Sequence, residues 1–459
     1  MSQGSLASSQ PVRYPDTRSQ PVMTRRAWVL VLLNILIPGS AQLLAGNRRL
    51  GRFGVGSTFV LWALVIAAGL TFLLSRSTIL TIASMSIGLI AMALILVFYA
   101  VLWLILTLDT LRLARLVKAA PSARGWVAGL ATILLVATSG TAAYGAFVAT
   151  TASNFVSNVF ITAPPKPAID GRYNIMLLGG DSGPDRDGLR PDSITVVSID
   201  AATGAATMIG LPRNMEYVPF SEGSPMAAAY PNGYGRDLGC EVSVCLLNSV
   251  YTEVELVSPE MYPDAVAQGS EPGIEGMRDA VQGITGLTIQ YYALIDMQGF
   301  LDLVDSLGGI TVDVATAVPI HTDETFTTVA EWIGPGVVHL DGYHALWYAR
   351  SRHDTTDYDR MGRQRQLEEA LLEQFTPANV LSQLQAVAAA GTRVVKTDVP
   401  QASLGYFVDL ASKTKNLPLQ SVELVPDNGV DPEDPDFDFI RQLVAEGLAP
   451  IPSAEPSEG

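Results

Sequence analysis

The sequence predicts an α/β domain with a mixed central sheet flanked by helices, preceded by an α-helical transmembrane region. Three observations lead there. Charge divides the 459-residue chain: residues 1–150 hold 12 basic and 2 acidic residues, and the remainder holds 17 basic and 43 acidic, a net of −26. Apolar stretches long enough for a bilayer are confined to the first third. Beyond residue 172, strand-like and helix-like segments alternate, as in a sheet covered by helices. A domain at −26 is repelled by nucleic acid, so DNA or RNA is disfavoured as a partner.

In chain order, residues 1–26 are polar and rich in Ser, Gln, Pro and Arg, and are expected to be a disordered cytoplasmic N-terminus. Apolar stretches follow at 27–45, 57–75, 78–108 and 126–149. The last three suit spanning helices. The first is interrupted by Pro38-Gly39-Ser40, with Arg25 and Arg26 before it and Arg48, Arg49 and Arg52 after it. A broken, re-entrant hairpin keeps both arginine groups on the cytoplasmic side, in line with the positive-inside tendency; four full spans fit the charges less well. Arg112, Arg115, Lys118 and Arg124 mark another cytoplasmic loop, so everything after about residue 150 is expected outside. Residues 150–172, with Pro164, Pro165 and Pro167, read as a linker. The globular part spans 173–449, and 450–459 reads as a disordered tail.

Within 173–449, YNIMLLGG is a buried strand running into a glycine turn. Residues 193–199 and 206–211 are strands joined by a hairpin signal at 200–204. A helix is expected at 275–284. TIQYYALID and GGITVDV read as strands on either side of the helical MQGFLDLVDSLGG. Helical periodicity returns at 358–375, 378–390, 402–412 and 436–446. Cys240 and Cys245, five positions apart with no histidine nearby, make a poor metal site. They form a small disulfide loop in an oxidising compartment, or remain two buried thiols.

Three segments place polar residues where strands end. Asp181 and Asp192 flank a loop of about ten residues. Such carboxylates suit a hard cation, Mg2+ or Mn2+, or serve only as turn and cap residues. The loop is not a Walker A element, because no GK[ST] follows its glycines. Arg213, in Leu211-Pro212-Arg213-Asn214, follows the hairpin's second strand and should emerge near that loop. The densest cluster is Arg350, Arg352, Arg360, Arg363 and Arg365, with no lysine among them. Planar guanidinium forks suit carboxylate or phosphate oxygens. Arg350 and Arg352 alternate as on an extended segment. Arg360, Gln364, Leu367 and Leu371 share one helical stripe, so that stripe starts as an anion-binding end and continues as core. Arg363 and Arg365 lie off it and are expected at the rim or in solvent.

The series GGDS, RPDS, SITVVSID, LPRN, LLN, YYALIDMQGFLDLVDSLGGITVDV, HLDGYHALWYARSR and DYDRMGRQRQ closely resembles the extracytoplasmic domain of the LytR-CpsA-Psr family. The resemblance runs over 173–375 and fades towards 449. It implies a bacterial cell-membrane protein with its C-terminal domain extracytoplasmic; the multi-pass membrane region read from the apolar stretches is larger than the single anchor common in the family. It implies transfer of an anionic glycopolymer (teichoic acid, capsule or arabinogalactan) from a polyprenyl-pyrophosphate carrier to peptidoglycan through a phosphodiester. The lipid would lie in a long apolar pocket, its pyrophosphate at an arginine-lined mouth. By motif position, Asp181 and Asp192 correspond to metal ligands. Arg190, Arg213, Arg350, Arg352, Arg360 and Gln364 correspond to pyrophosphate contacts, and Asp192, Arg213 and Arg352 to catalytic residues. Asp192 or His353 could take the acceptor proton. Regulator or attenuator activity, and hydrolysis of the same lipid pyrophosphate, are the alternatives. Two departures stand out: Asn214 replaces an aspartate of the family pattern, and Leu246 a lysine.

Overall fold

The computed structural model describes residues 12–181, 189–321, 328–351, 356–374 and 395–449. The chain divides into two units, Met1–Ser153 and Asn154–Gly459.

The first unit is helical: α1 (Gln20–Leu36), α2 (Ser40–Ala45), α3 (Arg48–Leu74), α4 (Arg76–Ser84), α5 (Ser86–Ala114), α6 (Pro121–Leu135) and most of α7 (Thr141–Val159), whose last residues fall in the second unit. A π-helical turn, Val136–Gly140, joins α6 to α7. Three helical stretches, Arg48–Leu74, Ser86–Lys118 and Pro121–Val159, are long and apolar enough to cross a membrane. The expected interruption at Pro38 is present: α1 stops at Leu36, and Gly39 turns the chain with φ +98°. The stretch 78–108 is not one helix. Met85 is extended and separates α4 from α5. Gly88 permits this, because a Cβ there would lie 1.9 Å from the Ile82 carbonyl oxygen.

The expected linker over 150–172 also differs. Residues 150–159 continue α7. Beyond them, the Ile161 amide donates to the Val399 carbonyl at 3.2 Å. Lys166 pairs with Asp398 at 3.2 Å and lies over the Tyr291 ring. This stretch is docked chain, held by the second unit.

The second unit is built on a six-stranded mixed sheet. Its strands are β1 (Arg172–Asp181), β2 (Arg190–Asp200), β3 (Ala206–Gly210), β4 (Tyr291–Asp296), β9 (Val395–Thr397) and β10 (Gln420–Glu423). Their order is β10-β3-β2-β1-β4-β9. β1 runs parallel to β4, β3 runs parallel to β10, and the other neighbours are antiparallel.

Alternation divides the sheet's two faces. Met176, Leu178, Ile194, Val196, Tyr292 and Leu294 point to one side. They pack there against α9 (Ser249–Leu256), α10 (Pro272–Thr285) and α15 (Phe437–Gly447). The expected strand GGITVDV does form, as β5 (Ile310–Val314), but outside this sheet. It pairs with β8 (Gly336–Leu340), beside a second ribbon of β6 (Val318–His321) and β7 (Val329–Ile333). These ribbons share a smaller core with α11 (Met297–Ser306), α12 (Gly342–Arg350) and α13 (Asp357–Gln374). Two further helices complete the described elements: α8 (Pro225–Ala229) and α14 (Leu404–Thr414). The helix expected at 378–390 lies outside the described residues.

α13 joins the two cores. Leu367 and Ala370 enter the smaller one. Arg365 turns instead to the central sheet. It is 8% exposed, pairs with Glu423 at 2.7 Å, and donates to the Ser421 hydroxyl of β10. This corrects the expectation of a solvent-exposed side chain. Its stem packs in the interior while its fork finds fixed acceptors on β10. Arg363 is corrected too: it is half-buried, donates to the carbonyls of Tyr348 and Ser351 at the end of α12, and lies over the Tyr348 ring. Arg365→Ala strips Glu423 of its cation and should destabilise the second unit by about 3 kcal/mol, seen as a lower midpoint in thermal unfolding followed by tryptophan fluorescence.

Candidate functional site

The site starts from an irregularity between β1 and β2. Gly179 pairs with Ser193, but Gly180 pairs with Pro191. Asp192 is therefore the extra residue of a β-bulge, a device that re-aims a side chain at a strand end. Pro191 is tolerated there because the ladder is already disrupted. A Cβ on Gly180 would come within 2.7 Å of Leu189 Cδ1, so the Leu189 side chain would have to shift.

Arg213 arrives from the turn after β3. Its carbonyl accepts from the Asn248 amide at 3.0 Å, and the neighbouring Met215 carbonyl accepts from Leu247 at 3.0 Å. The LLN segment thus braces the arginine loop through its backbone, which needs no lysine at position 246. The Arg213 guanidinium pairs with the Asp192 carboxylate. Its Nε also donates to Asp357 Oδ2 at 3.3 Å.

Asp357 opens α13, and its Oδ2 also accepts from Arg360 at 2.8 Å, one turn along. Arg360 is 2% exposed and reaches the Asp192 carbonyl at 3.5 Å. Asp192, Arg213, Asp357 and Arg360 thus form one chain of alternating charge. A buried guanidinium needs such partners, because an unpaired buried charge costs several kcal/mol.

The structure therefore brings together three expected residues, Asp192, Arg213 and Arg360. Of three others, Arg190 and Gln364 are hydrogen-bonded elsewhere and Arg350 faces solvent. Arg190 reaches the Ser243 hydroxyl at 3.4 Å. Ser243 lies inside the loop closed by the Cys240–Cys245 disulfide. Gln364 donates to the Ala349 carbonyl at 3.4 Å. Arg350 is exposed and is the last residue of helix α12, not part of an extended segment. Arg352, His353 and the Asp181 side chain lie outside the described residues. The Asp181 backbone ends β1 opposite Arg190, two positions from Asp192.

Two residues escaped sequence reasoning. Asp357 is not among the expected site residues, although its i,i+3 spacing to Arg360 is visible in the sequence. Glu368 continues the Arg360–Gln364 stripe by one more turn. Its carboxylate accepts from the Ser193 and Thr195 hydroxyls of β2 at 3.5 and 3.4 Å and lies 3.8 Å from Arg365 Nε. Burial pushes its carboxyl up to about 7, with Glu423 adding repulsion and Arg365 opposing it. No sequence signal distinguished this glutamate from its neighbours.

The donor set suits a hard divalent cation in part. Asp192 offers carboxylate oxygens and the end of β1 is beside it. Among the described residues no group of three or more acidic, histidine or cysteine ligands converges. Phosphate oxygens of a ligand would therefore have to complete the shell, which is how Mg2+ is commonly held.

The family model described as the LytR_cpsA_psr family matches residues 148–431. The chain belongs to that family. Among curated relatives, the cell wall biosynthesis protein LcpA of Corynebacterium glutamicum is 27% identical over 63% of this chain and 58% of its own length. The polyisoprenyl-teichoic acid–peptidoglycan teichoic acid transferase TagU of Bacillus mycoides is 26% identical over 56% of this chain and 69% of its own. The biofilm regulatory protein A of Streptococcus mutans is 26% identical over 52% and 54%. The chain thus spans little more than half of the first and third of these proteins. The crystal structure of B. subtilis TagV superposes with a TM-score of 0.43 at 20% identity, covering 61% of this chain and 98% of that one.

The raised Glu368 carboxyl has a definite sign. The folded state holds its proton to higher pH than the unfolded chain, so its contribution is fully present below about pH 4.5 and is lost as pH rises through about 7. Glu368→Gln removes that loss. Between pH 5 and 8 the parent chain should lose about 2 kcal/mol more stability than the variant, read from unfolding midpoints at the two pH values.

Proposed function

We propose that this chain is a membrane-anchored phosphotransferase that moves an anionic glycopolymer from a polyprenyl-pyrophosphate carrier to peptidoglycan, forming a phosphodiester. The observation that carries this reading is the charge chain Asp192–Arg213–Asp357–Arg360 at the bulged end of the sheet. Family membership, and relatives named as a cell wall biosynthesis protein and a teichoic acid transferase, support it.

Phosphoryl transfer is mostly positioning and charge neutralisation. The two arginines are balanced by two aspartates, so the site is poised for a ligand that brings its own charge compensation. Mg2+ or Mn2+ would be held by Asp192 and Asp181 and would neutralise non-bridging phosphate oxygens. Arg213 and Arg360 would orient the polymer-side phosphate, with Arg190, Arg350, Arg352 and Gln364 completing the pyrophosphate contacts. The acceptor hydroxyl oxygen attacks the polymer-side phosphorus. The bond to the bridging oxygen breaks, polyprenyl phosphate leaves, and the hydroxyl proton passes to a base, for which Asp192 and His353 are the candidates. The lipid chain would occupy an apolar pocket of the α/β domain.

We place this domain outside the cell membrane, since arginines crowd one set of helix ends (Arg48, Arg49, Arg52, Arg112, Arg115, Arg124) and Arg76 stands alone at the other. Both cysteines are joined in the disulfide, so an added thiol has no native competitor. Glu222→Cys should react with a membrane-impermeant maleimide in intact cells. Labelling only after lysis would refute the orientation.

Arg213→Ala should lower transfer by about a hundredfold or more with the fold retained, measured as acceptor-dependent ligation by the purified full chain, and Arg360→Ala should lower both transfer and the unfolding midpoint. Chelation should abolish ligation, and Mg2+ or Mn2+ should restore it. Turnover with water but not with peptidoglycan would mark a hydrolase instead. Binding of the lipid without any turnover would favour the regulatory reading that the name of the Streptococcus mutans relative raises.

A further inference from the structure

The first unit contains a polar cleft among apolar helices. Its frame is the α1–α2 break, pressed directly on the backbone of α3. A Cβ on Gly39 would lie 2.6 Å from the Val55 nitrogen, and one on Gly51 would lie 2.4 Å from the Leu43 nitrogen. Only glycine permits these approaches, so the break is held in one place. It sets Gln42, 0% exposed, against α5, where its amide nitrogen donates to the Leu106 carbonyl at 2.8 Å and the Thr110 hydroxyl at 2.9 Å. Asn34, in the last turns of α1, donates to the Thr107 hydroxyl at 3.3 Å. The π-helical turn after α6 brings Thr138 to the same place. Such turns recur at functional sites.

Together these elements line a cleft of about 170 Å³, partly open to the surroundings, walled by Leu36, Leu61, Trp62, Trp103, Thr107 and Thr138 among others. No charged side chain lines it. Two of its lining residues carry a buried polar atom with no hydrogen-bond partner: Asn34 Oδ1, an acceptor, and Trp103 Nε1, a donor. Gln42 Oε1 and Ser139 Oγ, close by in sequence to lining residues, are in the same condition. Within hydrocarbon an unmet polar group costs more than in water, and polar residues kept there mark functional positions.

We propose that this cleft binds an uncharged lipid with a free hydroxyl. Its chain lies along the apolar wall, and its hydroxyl donates to Asn34 Oδ1 and accepts from Trp103 Nε1. A hydroxyl is the simplest group that satisfies both atoms at once. A phosphate ester is disfavoured because the walls hold no cation. Ligands enter from the side, where Leu36 and Trp62 are exposed. An isoprenoid alcohol and a diacylglycerol share this chemistry. The proposal rests on these helices lying in a bilayer, which alkaline carbonate extraction of membranes tests separately.

The test uses the full chain in phosphatidylcholine nanodiscs and three photoreactive probes: a diazirine-bearing isoprenoid alcohol, a diazirine-bearing diacylglycerol, and the phosphate ester of the same isoprenoid alcohol. Saturable labelling by either uncharged probe is expected, mapped to α1, α3 or α5, and competed by the unlabelled compound; which probe labels identifies the source. The Asn34→Leu/Trp103→Phe double variant should lose about tenfold in labelling, the loss expected of two neutral hydrogen bonds. Its unfolding temperature without probe should fall by no more than the loss of the Asn34–Thr107 hydrogen bond accounts for, since both orphaned atoms are gone. Where the double variant fails to assemble, Trp103→Phe alone should still lose about threefold. Equal labelling by the phosphate ester, undiminished labelling of the variants, or no labelling of these helices in a chain that resists carbonate extraction would each overturn the proposal.

Discussion

Arg360 has to sit almost fully buried at the junction of two cores, and a charge in that position exists only with its partners in place. Asp357, on its own helix, supplies one. The same carboxylate oxygen reaches Arg213, whose other partner is Asp192 on the bulge of β2. The start of α13, the turn after β3 and the end of β2 are thereby tied at one point. Removing any member leaves another charge with an inadequate environment. The bulge, the LLN brace behind Arg213 and the acidic start of α13 all serve this one arrangement.

Two turns further along α13 a second charged layer lies against the sheet. Arg365 is clasped by Glu423 and Ser421 of β10, and Glu368 sits under the hydroxyls of Ser193 and Thr195. Ser193 directly follows Asp192, so the second layer adjoins the first through the backbone of β2. On its remaining side the helix buries Leu367 and Ala370 among the ribbons β5–β8 and β6–β7. α13 therefore connects the charged site to both cores. The half-protonated character of Glu368 near neutral pH places a titrating group one residue's reach from the site.

The first unit follows a related logic among apolar helices. Gly39, Gly51 and Gly54 let a broken helix press on α3, and threonines satisfy much of the polar backbone and amide surface this exposes. The interruption is thus a built element, sealed by close backbone contact rather than by loop chemistry.

Local pattern was enough to reveal the mixed sheet, the hairpin of β2 and β3, the break at Pro38 and the family. Strand alternation, glycine turns and motif order are written into neighbouring residues. It also put Asp192, Arg213 and Arg360 at the ends of recognisable elements, and the fold joins the three in one charge chain through Asp357. The roles of Arg363, Arg365, Asp357 and Glu368 were decided only by the fold. Helical spacing says which residues share a face; it does not say that a second, oppositely placed sheet will cover another face of the same helix. Arg365 became a core residue because β10, 55 positions away, brought Glu423 to it. Likewise β5 left the central sheet for a ribbon because its partner β8 lay downstream. Composition and period determined the elements and the class of this protein. Long-range pairing determined which charges are buried together, because a charge acquires its partners only when distant strands close around it.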